Sequence, residues 1–185
     1  MSSDKLFLLS GTSGVGKTTI AYKLLDQMPN LKRLVTYVTR EPRPGETDGI
    51  DYHFVTRAEF EKRLAAGEFF EHDEHYGHLY GNSRHDLETI WSERKVAIII
   101  LDVNGVQTIK KIFPEAKTIF IAPDNLENQK KRIRLRPMSD EAFDKRWNKV
   151  QEELRKADSF DFQIINEEGK VEEATAKVKF IIENN

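Results

Sequence analysis

The run Leu6-Phe7-Leu8-Leu9 leads directly into GTSGVGKT, residues 11 to 18, and then into a helical stretch that stops at Pro29. This junction constrains the chain more than any other feature. The octapeptide fits G-x-x-x-x-G-K-[ST] and lies between an expected strand and an expected helix, the context the motif needs. Gly11, Gly14 and Gly16 let the backbone turn tightly with its N–H groups aimed inward. The helix N-terminus adds positive potential, Lys17 can reach the β- and γ-phosphates of a nucleotide, and the Thr18 hydroxyl can ligate Mg²⁺. The plain alternative is a glycine-rich turn before a helix, but the placement favours a nucleoside triphosphate.

The rest of the chain repeats this strand–helix rhythm. VAIIIL (96–101), TIFIA (118–122) and FQIIN (162–166) read as further strands, the first covered on both faces of a parallel sheet. Helices are expected from Gly16 to about Met28 and from about Asn104 to Phe113. Asp124-x-x-Glu127 has the form of a capping box and opens a helix over about 124–134. Ser139 caps a long helix reaching about Ala157, and Val171 to Glu183 forms the last. The chain of 185 residues thus reads as one domain, an α/β doubly wound parallel sheet. Residues 36–90 break the rhythm. YHFV (52–55) and GEFFEH (67–72) look like strands of a small antiparallel unit, with a short helix capped by Thr56 and ending at Gly67 between them.

Composition narrows the partners. A formal charge of −2 argues against a general nucleic-acid or anionic-membrane binder, and the absence of cysteine excludes disulfides and thiolate chemistry. The apolar run near the N-terminus is too short for a signal-peptide core, and no run approaches a membrane span. A soluble, cytoplasmic protein is expected; the oligomeric state is left open. Asp102, at the end of VAIIIL, stands where an acid can approach bound Mg²⁺, although strand ends also carry Asp as helix caps.

TREPRPGETDGIDYHF, residues 39 to 54, carries the second signal. Pro42 and Pro44 push Glu41 and Arg43 away from helical geometry, so Arg40 and Arg43 are presented on a stiff extended segment. Planar guanidinium groups so held suit a phosphate dianion, and Tyr52 can add a phenolic donor. The competing reading is a solvated loop whose arginines pair with Glu41, Glu46 or Asp48.

GTSGVGKTT, TREPRPGETDGIDYHFV and GEFFEHDEHYGHLYG together resemble guanylate kinases in order, spacing and content, over essentially the whole chain. The resemblance implies a P-loop NTPase-type core (1–35, 91–128 and 158–185), an inserted GMP-binding lobe (36–90) and a helical lid region (129–157). It implies transfer of the γ-phosphoryl group of ATP to GMP or dGMP, with Mg²⁺ as cofactor, in purine nucleotide metabolism. Gly11, Thr12, Ser13, Gly14, Val15, Gly16, Lys17, Thr18 and Thr19 would hold ATP, with Arg132 and Arg136. Thr36, Arg40, Arg43, Glu46, Tyr52, Glu71, Tyr80, Asn82, Asp102 and Asn104 would hold GMP. Lys17, Arg40, Arg132 and Arg146 would serve catalysis, and Thr18 and Asp102 the metal. Glu71 would select guanine by accepting from N1–H and the N2 amino group, a donor pair adenine lacks.

Four positions depart from the family pattern: Thr36 for Ser, Asn82 for Ser or Thr, Asn104 for the second acid of L-D-x-D, and Arg136-Pro137-Met138 for R-G-T. Asn82 and Asn104 keep open a related kinase acting on another nucleotide or sugar phosphate; the other alternative, a non-catalytic interaction module, is disfavoured by intact Gly11, Gly16, Lys17 and Thr18 beside Arg40 and Arg43. The basic stretch 129–146 would, without the resemblance, read as a solvated helix face or a small nucleic-acid patch. His72, His75 and His78 match no metal-ligand motif, and strand geometry would not put all three on one face.

Overall fold

The computed structural model describes residues 5–75, 77–135 and 138–185. A run such as Leu6–Leu9, with no polar position, must be covered on both faces. Accordingly β1 (Leu6–Gly11) is buried throughout and forms the centre of a five-stranded parallel sheet. It is flanked by β7 (Val96–Ile100) and β8 (Lys117–Pro123), with β2 (Leu31–Arg33) beyond β7 and β9 (Phe162–Asn166) beyond β8. Phe7 and Leu9 face α1 (Lys17–Gln27) and α7 (Val171–Asn184), packing on Ile20, Leu24 and Val178. Leu6 and Leu8 face α3 (Arg84–Ser92) and α4 (Val103–Ile112), packing on Leu87, Ile90, Val106 and Ile109. Each such fully buried side chain contributes about 1.5–3 kcal/mol. Two apolar layers thereby fix the carboxyl ends of β1 and β7, where open α/β sheets bind ligands.

A second, four-stranded sheet comprises β3 (Tyr37–Val38), β4 (His53–Phe54), β5 (Phe69–His75) and β6 (His78–Ser83), in the order β4-β3-β6-β5, with α2 (Arg57–Ala65) between β4 and β5. The expected antiparallel unit is therefore mixed. Its two foreseen strands lie at opposite edges, and β4 runs parallel to β3. The intervening strands escape sequence patterning because β3 has two residues and β6 contains Gly81 and Asn82, residue types depleted in strands. Gly81 is required there, since a Cβ would lie 2.8 Å from Phe60 Cζ. The Phe60 and Phe69 rings stack beneath it at 4.5 Å. α3, most of which lies within the 36–90 segment, packs on the main sheet.

α5 (Leu126–Arg134) and α6 (Asp140–Arg155) enclose a small core of their own, Ile133, Phe143 and Val150. Ser139 caps α6 as expected, accepting from the Ala142 N–H. The start of α5 differs from the expected capping box: its cap is Asn125, which accepts from the Glu127 N–H at 2.7 Å. β8 extends to Pro123, and Asp124 instead accepts from the Glu168 N–H in the loop before α7. Among the described residues no helix is long and apolar enough to cross a membrane.

Gly11 closes β1 at φ +143°, and a Cβ there would lie 2.2 Å from the Ile121 carbonyl oxygen of β8. Gly11→Ala is expected to cost about 3 kcal/mol or more, because the obstacle is backbone and the φ angle is already strained. Gly45→Ala, at φ +86° with open space around it, should cost only about 1 kcal/mol. Denaturant unfolding of both variants measures the contrast.

Candidate active site

The turn between β1 and α1 is shaped through its carbonyl groups. Lys17 Nζ donates to the Gly11 and Thr12 carbonyls at 2.6 and 3.0 Å. Gln129 of α5 donates to the Ser13 carbonyl and, at 3.1 Å, to Thr12 Oγ1. Asn166, at the end of β9, donates to the Val15 carbonyl at 2.7 Å. The Val15 side chain is buried in the core, so it can serve a ligand only through its backbone. Gly16 caps α1 at φ 100° without a side-chain hydrogen bond, and the first helical turn carries no acid. These features suit an anion at the helix N-terminus. Thr19 lies exposed on α1, outside the cavity wall, and Gly14 lies against the Arg132 side chain.

A cavity of about 270 Å³ opens beside this turn. Ser13, Lys17 and Thr18 form one wall, and Leu101, Asp102 and Gly105 the floor at the carboxyl end of β7. Thr36, Arg43, Tyr52, Glu71, Tyr80 and Asn82 form the facing wall, and Arg146, Lys149 and Glu153 of α6 close the side. Residues up to 140 positions apart in sequence, Ser13 and Glu153, therefore share one cleft, with Thr18, Arg146 and the arginine loop also reaching it.

The facing wall owes its chemistry to β5. Pairing with β6 shifts register between Phe69 and Glu71, a bulge-like irregularity of the kind that re-aims side chains beside functional sites. Phe70 and Glu71 are both buried as a result, Phe70 against Phe113 and Glu71 in the cleft. From there Glu71, Asp73 and His75 share one face, opposite Asn82, Tyr80 and His78. Thr36 Oγ1 donates to Asn82 Oδ1 at 2.9 Å, and Asn82 Nδ2 donates to Glu71 Oε2 at 2.7 Å. This chain lies wholly inside the protein and fixes the Glu71 carboxylate.

The arginine loop is similarly pre-set. Glu46 takes both terminal nitrogens of Arg40, at 2.6 and 2.7 Å, and accepts from the Arg43 backbone N–H at 2.8 Å. Arg40 is only 8% exposed and lies over the Tyr52 ring at 4.8 Å. Burial alone would lower its basicity, but Glu46 outweighs that and holds it more firmly charged. The pairing foreseen as the loop's plain alternative is thus real for Arg40, while Arg43 and Tyr52 reach the cavity. Arg33 adds a tie that sequence reading missed, donating to the Asp51 carbonyl at 2.6 Å. Tyr22 of α1 donates to the Asp51 carboxylate, so both anchor the loop to the core.

Asp102 serves two ends. It caps α4 by accepting from the Gly105 N–H at 2.9 Å, and its other oxygen receives Lys149 Nζ at 2.9 Å and faces His75 Nε2 at 3.3 Å. Burial would raise its pKa, but the Gly105 N–H and Lys149 hold it below the usual carboxylate range. Asn104 lies elsewhere: its Oδ1 accepts from Lys156 Nζ at 2.9 Å in a small adjoining cleft. Arg136 lies outside the described residues. Asp73, Lys149 and Glu153 line the cavity without having been singled out, and His75, weighed in the sequence only as a metal ligand, joins them, because neither the bulge nor the approach of α6 leaves a sequence mark. Glu153, 7% exposed, is raised in pKa by burial.

Glu71 is 6% exposed, and burial pushes its carboxyl up to about 7, with the Asn82 bond opposing and Asp73 and Asp102 adding to the rise. The folded chain therefore binds this proton more tightly than the unfolded chain does. Stability from the protonated group is fully present below about pH 4.5 and lost as pH rises through about 7. At pH 8 the ionised group costs about 3 kcal/mol. Glu71→Gln is expected to raise the melting temperature by about 5 °C at pH 8 and far less at pH 4.5, measured by calorimetry without nucleotide.

Comparison with known proteins agrees with this arrangement. The sequence model of the guanylate kinase family matches residues 3–185. A guanylate kinase of Trichormus variabilis is 42% identical over 168 residues, covering 90% of this chain and 84% of that protein. One from Bdellovibrio bacteriovorus is 34% identical and covers 97% of each. The crystal structure of guanylate kinase from Anaplasma phagocytophilum superposes with a TM-score of 0.80 at 28% identity, covering 99% of this chain and 86% of that one. A match along nearly the whole length, in both sequence and fold, places this chain in the guanylate kinase family.

Proposed function

We propose that this chain transfers the γ-phosphoryl group of ATP to GMP or dGMP, giving ADP and GDP or dGDP. One observation carries the reading: the phosphate-binding turn and the buried Thr36–Asn82–Glu71 chain face each other across a single cavity. ATP would lie with its phosphates on the 11–16 backbone, Lys17 and Thr18. Arg43, Tyr52 and Tyr80 would receive the GMP phosphate, and Glu71 the N1–H and N2 amino group of its base. Arg40 and Glu46 would set the Arg43 backbone and the Tyr52 ring, a supporting role that their mutual pairing favours. Asn82, whose oxygen is taken by Thr36, would orient Glu71.

Thr18 and Asp102 offer a hydroxyl and a carboxylate on the same cavity, oxygen donors that suit magnesium when phosphates and water supply the remaining positions. Magnesium bound with ATP would supply neutralisation of phosphate charge. The chain's own residues do the rest: they bring the two nucleotides into line, exclude water and surround the moving group with cations. The GMP phosphate is already nucleophilic, so no strong general base is required. We assign residues 36–90 to the acceptor lobe and 129–157 to a lid. α5 and α6, with their shared core, would carry Arg132 and Arg146 toward the transferred group as one unit.

Turnover of Mg·ATP with GMP, dGMP, IMP, AMP and CMP tests the proposal; release of ADP with none of them would overturn it and leave the interaction module or a kinase of a different acceptor. Lys17→Ala should lower kcat about a thousandfold. Glu71→Gln should impair GMP more than IMP, which lacks the N2 amino group. Because the ionised carboxylate is the form that accepts from guanine, KM for GMP should rise as pH falls below about 7 and stay flat in Glu71→Gln.

A further inference from the structure

The facing wall carries a carboxylate that the proposed reaction has not yet used. Asp73 lines the same cavity as Glu71, two residues farther along β5 and on the same face. Two residues of strand span about 6.8 Å. Directly across from Glu71 is Asn82, and directly across from Asp73 is Tyr80, so the sheet presents two rows. The first row, Glu71 and Asn82, is the base end. Tyr80 in the second row adjoins Tyr52, ring centroids 6.2 Å apart, at the phosphate end. Between a base and its phosphate lies the sugar. In a guanine nucleotide in the anti conformation the 2′-hydroxyl projects on the same side as N2, the edge that Glu71 would hold.

We propose that Asp73 recognises the ribose of the acceptor by accepting a hydrogen bond from its 2′-hydroxyl, making this residue a determinant of GMP over dGMP. This rests on the assignment of GMP as acceptor. The carboxylate is placed for it: one oxygen lies 3.2 Å from His75 Nε2, and the other accepts from the Glu74 backbone N–H at 2.7 Å. The same His75 nitrogen lies 3.3 Å from Asp102 Oδ2, so the ring sits between Asp73 and the cavity floor. Each carboxylate oxygen has two acceptor sites, which leaves capacity for a hydroxyl donor. The Asp73 side chain is 42% exposed, so a ligand can reach it without rearranging the core. Asn104, engaged by Lys156 in the adjoining cleft, is not placed to do the same.

The test compares KM and kcat for GMP, dGMP and IMP in the parent, Asp73→Ala and Asp73→Asn, with calorimetric binding of GMP and dGMP in the absence of ATP. In Asp73→Ala, KM for GMP should rise about tenfold, KM for dGMP should change much less, and kcat should move little. The GMP preference over dGMP should shrink accordingly, with Asp73→Asn, which keeps an acceptor, lying between. Equal losses for GMP and dGMP with IMP spared would mean that Asp73 touches the N2 amino group and would overturn the ribose contact. An unchanged GMP to dGMP ratio overturns it as well. A parent protein that turns over neither nucleotide defeats the assignment of the acceptor instead, and the two failures are thereby distinguished.

Discussion

The turn from Gly11 to Gly16 is held by its carbonyl oxygens, and everything else in the cleft is arranged around that fact. The Gly11, Thr12, Ser13 and Val15 carbonyls accept from Lys17, Gln129 and Asn166, side chains that arrive from α1, α5 and the end of β9. A peptide plane whose carbonyl is drawn outward turns its N–H inward. Phosphate binding by backbone N–H groups needs that orientation before the ligand arrives, when no ligand energy is available to impose it. The close approach of Gly11 to β8 and the left-handed Gly16 are the backbone consequences. Gln129 also makes α5 part of the cradle.

The facing wall follows a different logic, in which a group is kept under electrostatic cost for later use. Glu71 is buried beside two other carboxylates, Asp73 and Asp102, and one amide bond from Asn82 only partly compensates. A carboxylate left short of donors is a poor element of stability and a strong acceptor for a ligand with two parallel N–H groups. The arginine loop is the converse. Arg40 and Glu46 meet in a bidentate pair, and Arg43 and Tyr52 face the cavity. Preorganisation on this wall therefore combines a bidentate ion pair with a carboxylate short of donors.

Much of the fold was legible because its signals are local. The apolar runs at 6–9, 96–100, 118–122 and 162–166 became strands, and Ser139 and Thr56 capped helices as their sequences foretold. The start of α5 was misplaced because Asp124 has a competing partner, the Glu168 N–H, that is 44 residues away. β3 and β6 went unseen because two residues carry no periodicity and Gly81 is dictated by Phe60 and Phe69, not by strand propensity. In the site, motif residues such as Lys17, Thr18, Arg43 and Tyr52 meet at one cavity. Asn104 does not join them there, because Lys156 draws its side chain into the neighbouring cleft.

By itself, then, the sequence determined the phosphate-binding turn, the parallel α/β core and the family, since glycine spacing, unbroken apolar runs and long motifs are properties of neighbouring residues. Tertiary structure alone decided which carboxylates face the cavity. A register shift in β5 turns Glu71, Asp73 and His75 inward together, and α6 brings Lys149 and Glu153 to meet them. Neither event leaves a trace in any short stretch of sequence, because strand register and helix docking are set by contacts between segments far apart in the chain.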